Sequence, residues 1–306
     1  MTWSDPLPGS TEDTHKRWKK PRKQIESASP AAQRRTPLGT FGIYVGLTIS
    51  AAIMALPFVL SIMTAFKTPR DFASSSPLAP PKEWTLDNFA AVLGGRINFM
   101  DAIVTTLLMV LVLVVFQVSS SVMAAYAFAR LQFPGRDLIF WLFLSTMMIP
   151  ATVLVIPLYM MMAEAGLKNT FWGIVIPFMF ASPYAVFLLR ENFRQIPQEI
   201  IDAARIDGAG QVSILLRIVV PMSKPILATL TLITVVSQWN SFMWPRIIAN
   251  QRPHVITVAT ATLQSQYNAN WTLVMAATTL ALVPLIILFV AFQKQIVGSI
   301  ALTGMK

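Results

Sequence analysis

The chain has 306 residues, of which 55% are hydrophobic and 12% are charged, whereas a soluble domain usually carries about a quarter charged residues. Together with a mean hydropathy of +0.59, this composition excludes an ordinary soluble domain and indicates a membrane protein with several spans. The absence of cysteine excludes disulfides and thiolate chemistry, and the two histidines, His15 and His254, are too far apart in sequence to suggest a metal site.

The first segment, residues 1–36, is polar, rich in proline and serine, and carries eight Lys and Arg residues. It is predicted to be a disordered basic tail on the cytoplasmic side of the membrane, where it fixes the topology. A second interpretation is contact with anionic membrane lipid, which attracts such clusters. The positive-inside rule explains much of the net charge of +10, so no nucleic-acid partner is expected.

Six apolar segments of membrane-spanning length follow the tail. They cover approximately residues 38–66, 102–129, 138–162, 171–189, 225–245 and 271–292. The predicted fold class is therefore an all-α integral membrane protein, in which residues 37–306 form one domain of six transmembrane helices. Prolines inside the third and fourth segments predict bent helices, which either surround a transport pathway or only pack against their neighbours.

The longest charged interval between these spans is residues 190–221. A short helix is predicted over 198–206, because good helix formers follow Pro197 and Gly208 supplies a left-handed residue at the end. A second helical pattern covers 211–220 and is predicted to stop at Pro221. The pattern alone fits either an ordinary surface loop or a small face that another protein approaches closely. That face is predicted to hold four residues at helical spacing: Ile200, Ala203, Ala204 and Asp207.

The distribution of Lys and Arg predicts on which side of the membrane this interval lies. With the N-terminus inside, the inner segments hold 17 of these residues and the outer segments hold 7. The positive-inside rule therefore predicts a cytoplasmic loop at 190–221 and cytoplasmic N- and C-termini.

The sequence shows no energy source of its own. All 14 acidic residues lie at or before Asp207, and none falls in the middle of a predicted span, which argues against a proton relay. The chain also lacks the GxxxxGK[ST] phosphate loop, so no ATP, magnesium or other cofactor is expected to bind to it. It is therefore predicted not to be an enzyme, and energy is expected to arrive from a partner protein through the loop at 190–221.

The fifth predicted span ends in a cluster of amide and aromatic side chains. Such a cluster fits an interfacial aromatic belt, favoured for Trp244, or the lining of a path for a hydroxyl-rich substrate, favoured for Gln238 and Asn240. The four candidate substrate-path residues are Gln238, Trp239, Asn240 and Trp244.

One spacing in the cytoplasmic loop closely resembles a family motif. Asp202-Ala203-Ala204, three residues, Gly208, nine residues and Ile218-Val219-Val220-Pro221 resemble the EAA loop of ABC-importer permeases. In that family the loop is a coupling helix that docks on a cytoplasmic ATPase. Asp202 replaces the usual Glu, and Val220 replaces the usual Leu. The resemblance implies a coupling role for six residues: Glu199, Asp202, Ala203, Ala204, Asp207 and Gly208.

Two further segments, at 84–89 and 238–245, resemble the carbohydrate-type permeases of the maltose and glycerol-3-phosphate class. This resemblance implies four partners: a homologous second permease subunit, two cytoplasmic ATPase subunits that bind ATP and magnesium, and an extracytoplasmic substrate-binding protein. The expected function is a multi-pass plasma (inner) membrane permease subunit that translocates a sugar or related polyol, including a glycerol-phosphate type of solute, by alternating access. The alternative is an ATP-independent secondary transporter or channel.

Overall fold

A computed structural model of the chain describes residues 37–95, 98–251, 254–266 and 270–303. All regular elements in these ranges are helices, so the all-α prediction is confirmed there. The chain divides into two compact units, Met1–Met54 and Ala55–Lys306, with the division inside the first helix. The predicted basic tail, 1–36, lies outside the described residues and stays a prediction.

The helices follow one another with short connections, as expected for a chain that keeps its backbone hydrogen bonds within each segment. In order, the α-helices are α1 (Pro37–Ala65), α2 (Pro69–Ser74), α3 (Asp87–Gly94), α4 (Phe99–Leu113), α5 (Ser119–Arg130), α6 (Arg136–Ser145), α7 (Ala151–Glu164), α8 (Phe171–Val175), α9 (Pro183–Arg194), α10 (Gln198–Ile206), α11 (Gln211–Ile214), α12 (Val220–Met222), α13 (Lys224–Trp239), α14 (Met243–Ile248), α15 (Ile256–Gln266) and α16 (Trp271–Thr303). Wider π-helical turns at Val114–Val118 and Leu215–Val219 join α4 to α5 and α11 to α12.

Four stretches are long and apolar enough to cross a membrane without a sharp bend: Phe41–Ala65, Phe99–Arg130, Lys224–Ile248 and Trp271–Ala291. Two further pairs of helices pass the same criterion together but are bent. Arg136–Met148 meets Ala151–Glu164 at 101°, and Phe171–Phe178 meets Pro183–Arg194 at 41°. The described chain therefore contains six spans if each bent pair counts as one, with the third and fourth spans broken.

Both breaks occur immediately before a proline. Ile149, before Pro150, and Ser182, before Pro183, have extended backbone with ψ of 119° and 133°. A residue before proline is pushed out of the helical region, because the proline ring clashes with its backbone. Pro157, in contrast, lies inside the continuous helix α7.

The backbone groups released at the second break find partners on the span that includes α4 and α5. The Nε2 of Gln117 donates to the carbonyl of Phe178 at 3.1 Å. The backbone N–H of Ser182 donates to the hydroxyl of Ser121 at 3.2 Å. Because water is scarce inside a bilayer, these two side chains allow an irregular segment at that depth.

The second compact unit contains two hydrophobic clusters. The first cluster centres on α4, α8, α14, α15 and the start of α16. The second cluster centres on α5, α9, α10 and α11 and includes Phe140 of α6. Helix α13 contributes to both, with Leu230 in the second and Trp239 in the first. The loop that carries α10, residues 190–221, thus packs into the second cluster together with α5 and α9.

The sequence analysis missed helices between the predicted spans. Helices α2 and α3 lie between the first and second predicted spans, and α15 lies between the fifth and sixth. The signal for α15 was the spacing of Val255, Val258, Ala259 and Leu263, which are all buried. Helix α16 also continues to Thr303, beyond the predicted end near 292.

Replacing Gln117 with leucine should lower the stability of the chain, because the carbonyl of Phe178 loses its donor inside a span. An unpaired polar group shielded from water costs about 1–3 kcal/mol. The thermal unfolding midpoint of the detergent-solubilised chain measures this loss. The matched control is Ser120→Ala, since the Ser120 hydroxyl donates to carbonyls of its own helix at 2.7 and 3.2 Å. Equal shifts for both variants would contradict the role of Gln117.

Candidate functional site

Helix α10 is a nine-residue helix between two backbone turns. Pro197, with φ −54° and ψ 136°, immediately precedes the first helical residue, Gln198, where the sequence predicted the helix to begin. Gly208 has φ +81°, the left-handed conformation that the sequence predicted. The helix length is thus set by residues that are poor at continuing a helix on either side.

The C-terminal turn of α10 closes with a paired set of backbone hydrogen bonds. The N–H of Gly208 donates to the carbonyl of Arg205 at 3.0 Å, and the N–H of Ala209 donates to the carbonyl of Ala204 at 2.9 Å. This is the Schellman arrangement, which needs a left-handed residue and therefore favours glycine at that position. The chain reverses within two residues and enters α11 at Gln211.

The two alanines at the centre of α10 have different environments. Ala204 is half-buried and packs against the second cluster, beside the fully buried Ile201. Ala203 is exposed. The outward face also carries Ile206, whose side chain is 87% exposed and which sequence reasoning did not single out. A large apolar side chain next to an alanine gives this small helix a surface that a partner can cover.

The three carboxylates of α10 and its end are not equivalent. Asp202 accepts a hydrogen bond from Gln198 Nε2 at 2.9 Å and pairs with Arg205 at 3.2 Å, both within its own helix. Glu199 and Asp207 are exposed, and neither pairs with a basic group in the ranges that the structure describes. These two acids are therefore the better placed to meet a basic partner.

The second arm of the loop is anchored by apolar side chains. Ile214, Leu215 and Val219 are buried in the second cluster. The helical path continues through Pro221 to Met222, beyond the predicted stop. The π-helical turn at Leu215–Val219 precedes this proline, and such wider turns accommodate a disrupted hydrogen-bond ladder.

A separate open groove of about 370 Å³ lies between α13, α15 and α16. Two of the four predicted path residues, Trp239 and Asn240, line it. None of its twelve described lining residues is charged. Its polar groups are hydroxyls and amides, from Asn240, Thr257, Thr260, Gln264 and Thr278.

The structure separates the remaining two path candidates from the groove. Gln238 is half-buried, next to Trp239, but does not line the groove. Trp244 is only 6% exposed, and its Nε1 donates to the carbonyls of Gly173 and Ile174 at 3.2 Å. Trp244 therefore packs in the first cluster and does not belong to a lipid-facing aromatic belt.

Comparison with known families gives one match that covers more than half of the chain. Residues 118–301 match the family described as binding-protein-dependent transport system inner membrane component. The matched range contains α10, its turn at Gly208 and all the residues that line the groove.

Similar proteins include several permeases. The melibiose/raffinose/stachyose import permease protein MelC of Bacillus subtilis is 34% identical and covers 85% of this chain and 96% of its own length. The arabinooligosaccharides transport system permease protein AraQ of Halalkalibacterium halodurans is 28% identical, over 90% and 99%. The sn-glycerol-3-phosphate permease UgpE of Yersinia pestis is 34% identical, over 64% and 70%.

Among solved structures, a chain of a bacterial ABC transporter that imports the acidic polysaccharide alginate has a similar fold. The TM-score is 0.72 at 24% sequence identity, and the alignment covers 83% of this chain and 96% of the other. A second structure of a bacterial alginate transporter, in complex with an alginate-bound periplasmic protein, gives a TM-score of 0.58 at 16% identity. At these identities the likeness concerns the fold.

Serine in place of Gly208 and serine in place of Gly210 should have different effects on the stability of the turn after α10. Gly208→Ser should destabilise the turn by about 1–2 kcal/mol, because a side chain is strained in the left-handed region. Gly210→Ser should be neutral or stabilising, because Gly210 has φ −73° and ψ 165° and caps α11, a position that favours serine. Hydrogen exchange of the amides between Ala203 and Gln211 measures both effects. Similar exchange in the two variants would contradict this assignment.

Proposed function

The chain belongs to the family of binding-protein-dependent transport system inner membrane components, and we propose that it is the permease subunit of an ATP-driven importer of neutral oligosaccharides. The observation that carries this proposal is the uncharged groove of hydroxyls, amides and apolar side chains within a span-forming, family-matched region. Sugars present hydroxyl groups and apolar ring faces, which such side chains can bind together.

The proposed site of energy input is the exposed face of α10. It offers an apolar centre at Ala203 and Ile206, bordered by Glu199 and Asp207, two acids that pair with no basic group among the described residues. A cytoplasmic ATPase with an apolar cleft and basic residues at the rim would complement this face in shape and charge. ATP and magnesium would then be bound by that partner, and this chain would contribute movement without catalysis.

The proposed assembly contains this chain, a homologous second permease, two ATPase subunits and an extracytoplasmic binding protein. A solved relative of similar fold is a complex with a periplasmic protein that holds an alginate pentasaccharide, which supports the last of these partners. The excess of Lys and Arg on one side supports cytoplasmic termini, with α10 on the ATPase side. Alternating access would then move solute from the binding protein to the cytoplasm.

The relatives' names leave two chemical classes of solute. MelC and AraQ are named for oligosaccharides, whereas UgpE is named for sn-glycerol-3-phosphate. A phosphate normally needs a cation or a cluster of N–H donors at its site. The described lining of the groove includes no Lys or Arg, so we favour the neutral oligosaccharide.

Ala203→Arg should detach the ATPase, because a long charged side chain would stand on the exposed centre of α10. Ala203 is exposed, so the chain should still fold and reach the membrane. Affinity purification of the tagged permease from membranes measures the ATPase that remains bound, and at least a tenfold loss is expected. The control is Gln132→Arg, an exposed position in the turn between α5 and α6. Retention of the ATPase by Ala203→Arg would refute docking at this face.

Gln264→Leu should reduce ATP-dependent uptake of raffinose roughly tenfold, which corresponds to one lost hydrogen bond of about 1.4 kcal/mol. The control is Ser265→Ala, because the Ser265 hydroxyl donates to the carbonyl of Thr262 at 2.9 Å and does not line the groove. Proteoliposomes that contain the whole importer would be tested with raffinose, an arabino-oligosaccharide and sn-glycerol-3-phosphate in parallel. Uptake of sn-glycerol-3-phosphate without uptake of either oligosaccharide would overturn the proposed substrate class.

The alternative function, transport without ATP, is tested by reconstituting the purified chain alone. Solute flux into such liposomes, in the absence of any ATPase subunit, would favour a secondary transporter or channel. The importer hypothesis expects no flux above that of empty liposomes.

A further inference from the structure

The end of α5 is fastened to the loop that carries α10, although more than sixty residues separate them in sequence. Arg130, the last residue of α5, donates through Nη2 to the carbonyls of Phe193 and Ile196. Its Nη1 donates to Gln198 Oε1 at 2.7 Å. One guanidinium therefore holds the end of α9, the connection and the first residue of α10 together.

The contact continues from Arg130 along α10. Gln198, which accepts from Arg130, donates through Nε2 to Asp202 at 2.9 Å. Asp202 in turn pairs with Arg205 at 3.2 Å. This chain of polar groups covers two turns of α10, so the contact of Arg130 with Gln198 continues into polar contacts within the helix.

A second contact fastens the other arm of the loop to the same helix. The hydroxyl of Tyr126, one turn before Arg130, donates to Gln211 Oε1 at the start of α11. That distance is 2.7 Å, and Tyr126 is only 4% exposed, within the second hydrophobic cluster. Helix α5 thus holds both sides of the turn at Gly208.

These contacts have a mechanical consequence. Without them, a force on α10 would reach the rest of the protein through the packing of Ile201 and Ala204 and through the backbone at Pro197 and Gly208, where the helix is interrupted. With them, α10 and the end of α5 move together. Helix α5 continues through the π-helical turn at Val114–Val118 into α4, which reaches the first cluster. A displacement of α10 would thereby be transmitted along the whole second span.

We propose that Arg130 and Tyr126 are positioning residues that transmit the movement of α10 to the span formed by α4 and α5. This inference rests on the proposed function, in which α10 receives work from an ATPase. The guanidinium of Arg130 suits the task, because its planar fork binds three acceptors in fixed directions and stays charged. Both residues belong to α5 and not to the outward face of α10. Binding of the ATPase and transmission of the movement can therefore be tested separately.

The test uses the absence of cysteine from the chain. A single cysteine at Thr260, on the groove wall, is introduced into the assembled importer in lipid nanodiscs. Its rate of reaction with a maleimide is measured with and without a non-hydrolysable ATP analogue. The complex with Thr260→Cys alone should show a nucleotide-dependent change in this rate.

Adding Arg130→Gln should shrink that change about tenfold, within the usual range of coupling between sites, while the ATPase still co-purifies. Tyr126→Phe, which removes one oxygen and keeps the packing, should shrink it by a smaller factor. Arg194→Gln is the control, because Arg194 is exposed and pairs with Glu191 on its own helix at 3.7 Å. It should leave the change intact.

An undiminished change in both Arg130→Gln and Tyr126→Phe would overturn the proposal. Loss of the ATPase from the Arg130→Gln complex would also overturn it, since Arg130 would then support docking. If Arg130→Gln fails to accumulate in the membrane, Tyr126→Phe decides alone by the same criterion. If the complex with Thr260→Cys alone shows no nucleotide response, the proposed function has failed, which is a distinct result.

Discussion

The structure depends on the need to pair every backbone polar group in segments that a bilayer surrounds. An unbroken helix meets this need alone, but the spans around Pro150 and Pro183 are broken. At the second of these, Gln117 and Ser121 supply a donor and an acceptor from another span. Trp244 supplies a further donor to the same broken span, because its indole N–H is directed to two carbonyls of α8. Polar side chains in these spans are thus partners of irregular backbone.

The loop that carries α10 has a different requirement, which is to be held in place. A short helix at a membrane surface has few contacts of its own. Its apolar side packs into the second cluster through Ile201 and Ala204. Its polar side chains are joined to Arg130 and Tyr126 of α5. The outward face is left with Ala203, Ile206, Glu199 and Asp207, which is a surface suited to a protein partner. Attachment on one side and exposure on the other fit the proposed role of α10 as the site of energy input.

Local features of this fold were predictable from the sequence, and non-local ones were not. Length and hydropathy predicted the spans, and Gly208 predicted the turn, because each depends on a few neighbouring residues. The same reasoning did not separate Ala203 from Ala204, since their environments are set by the cluster that receives α10. Pro150 interrupts a span and Pro157 does not, although both follow isoleucine. The buried position of Trp244 depends on α8, about seventy residues away. Local composition contains no such information.

The division of the apolar interior into two clusters has an evolutionary consequence. Side chains that belong to separate cores, far apart and without shared partners, contribute independently to stability. Substitutions around the groove can therefore accumulate without disturbing the packing beneath α10. Under the proposed function, a lineage of such chains can diversify its solutes at the groove while the face of α10 continues to fit one type of ATPase. Helix α13 contributes to both clusters, so substitutions in α13 can affect the groove and the packing beneath α10 together.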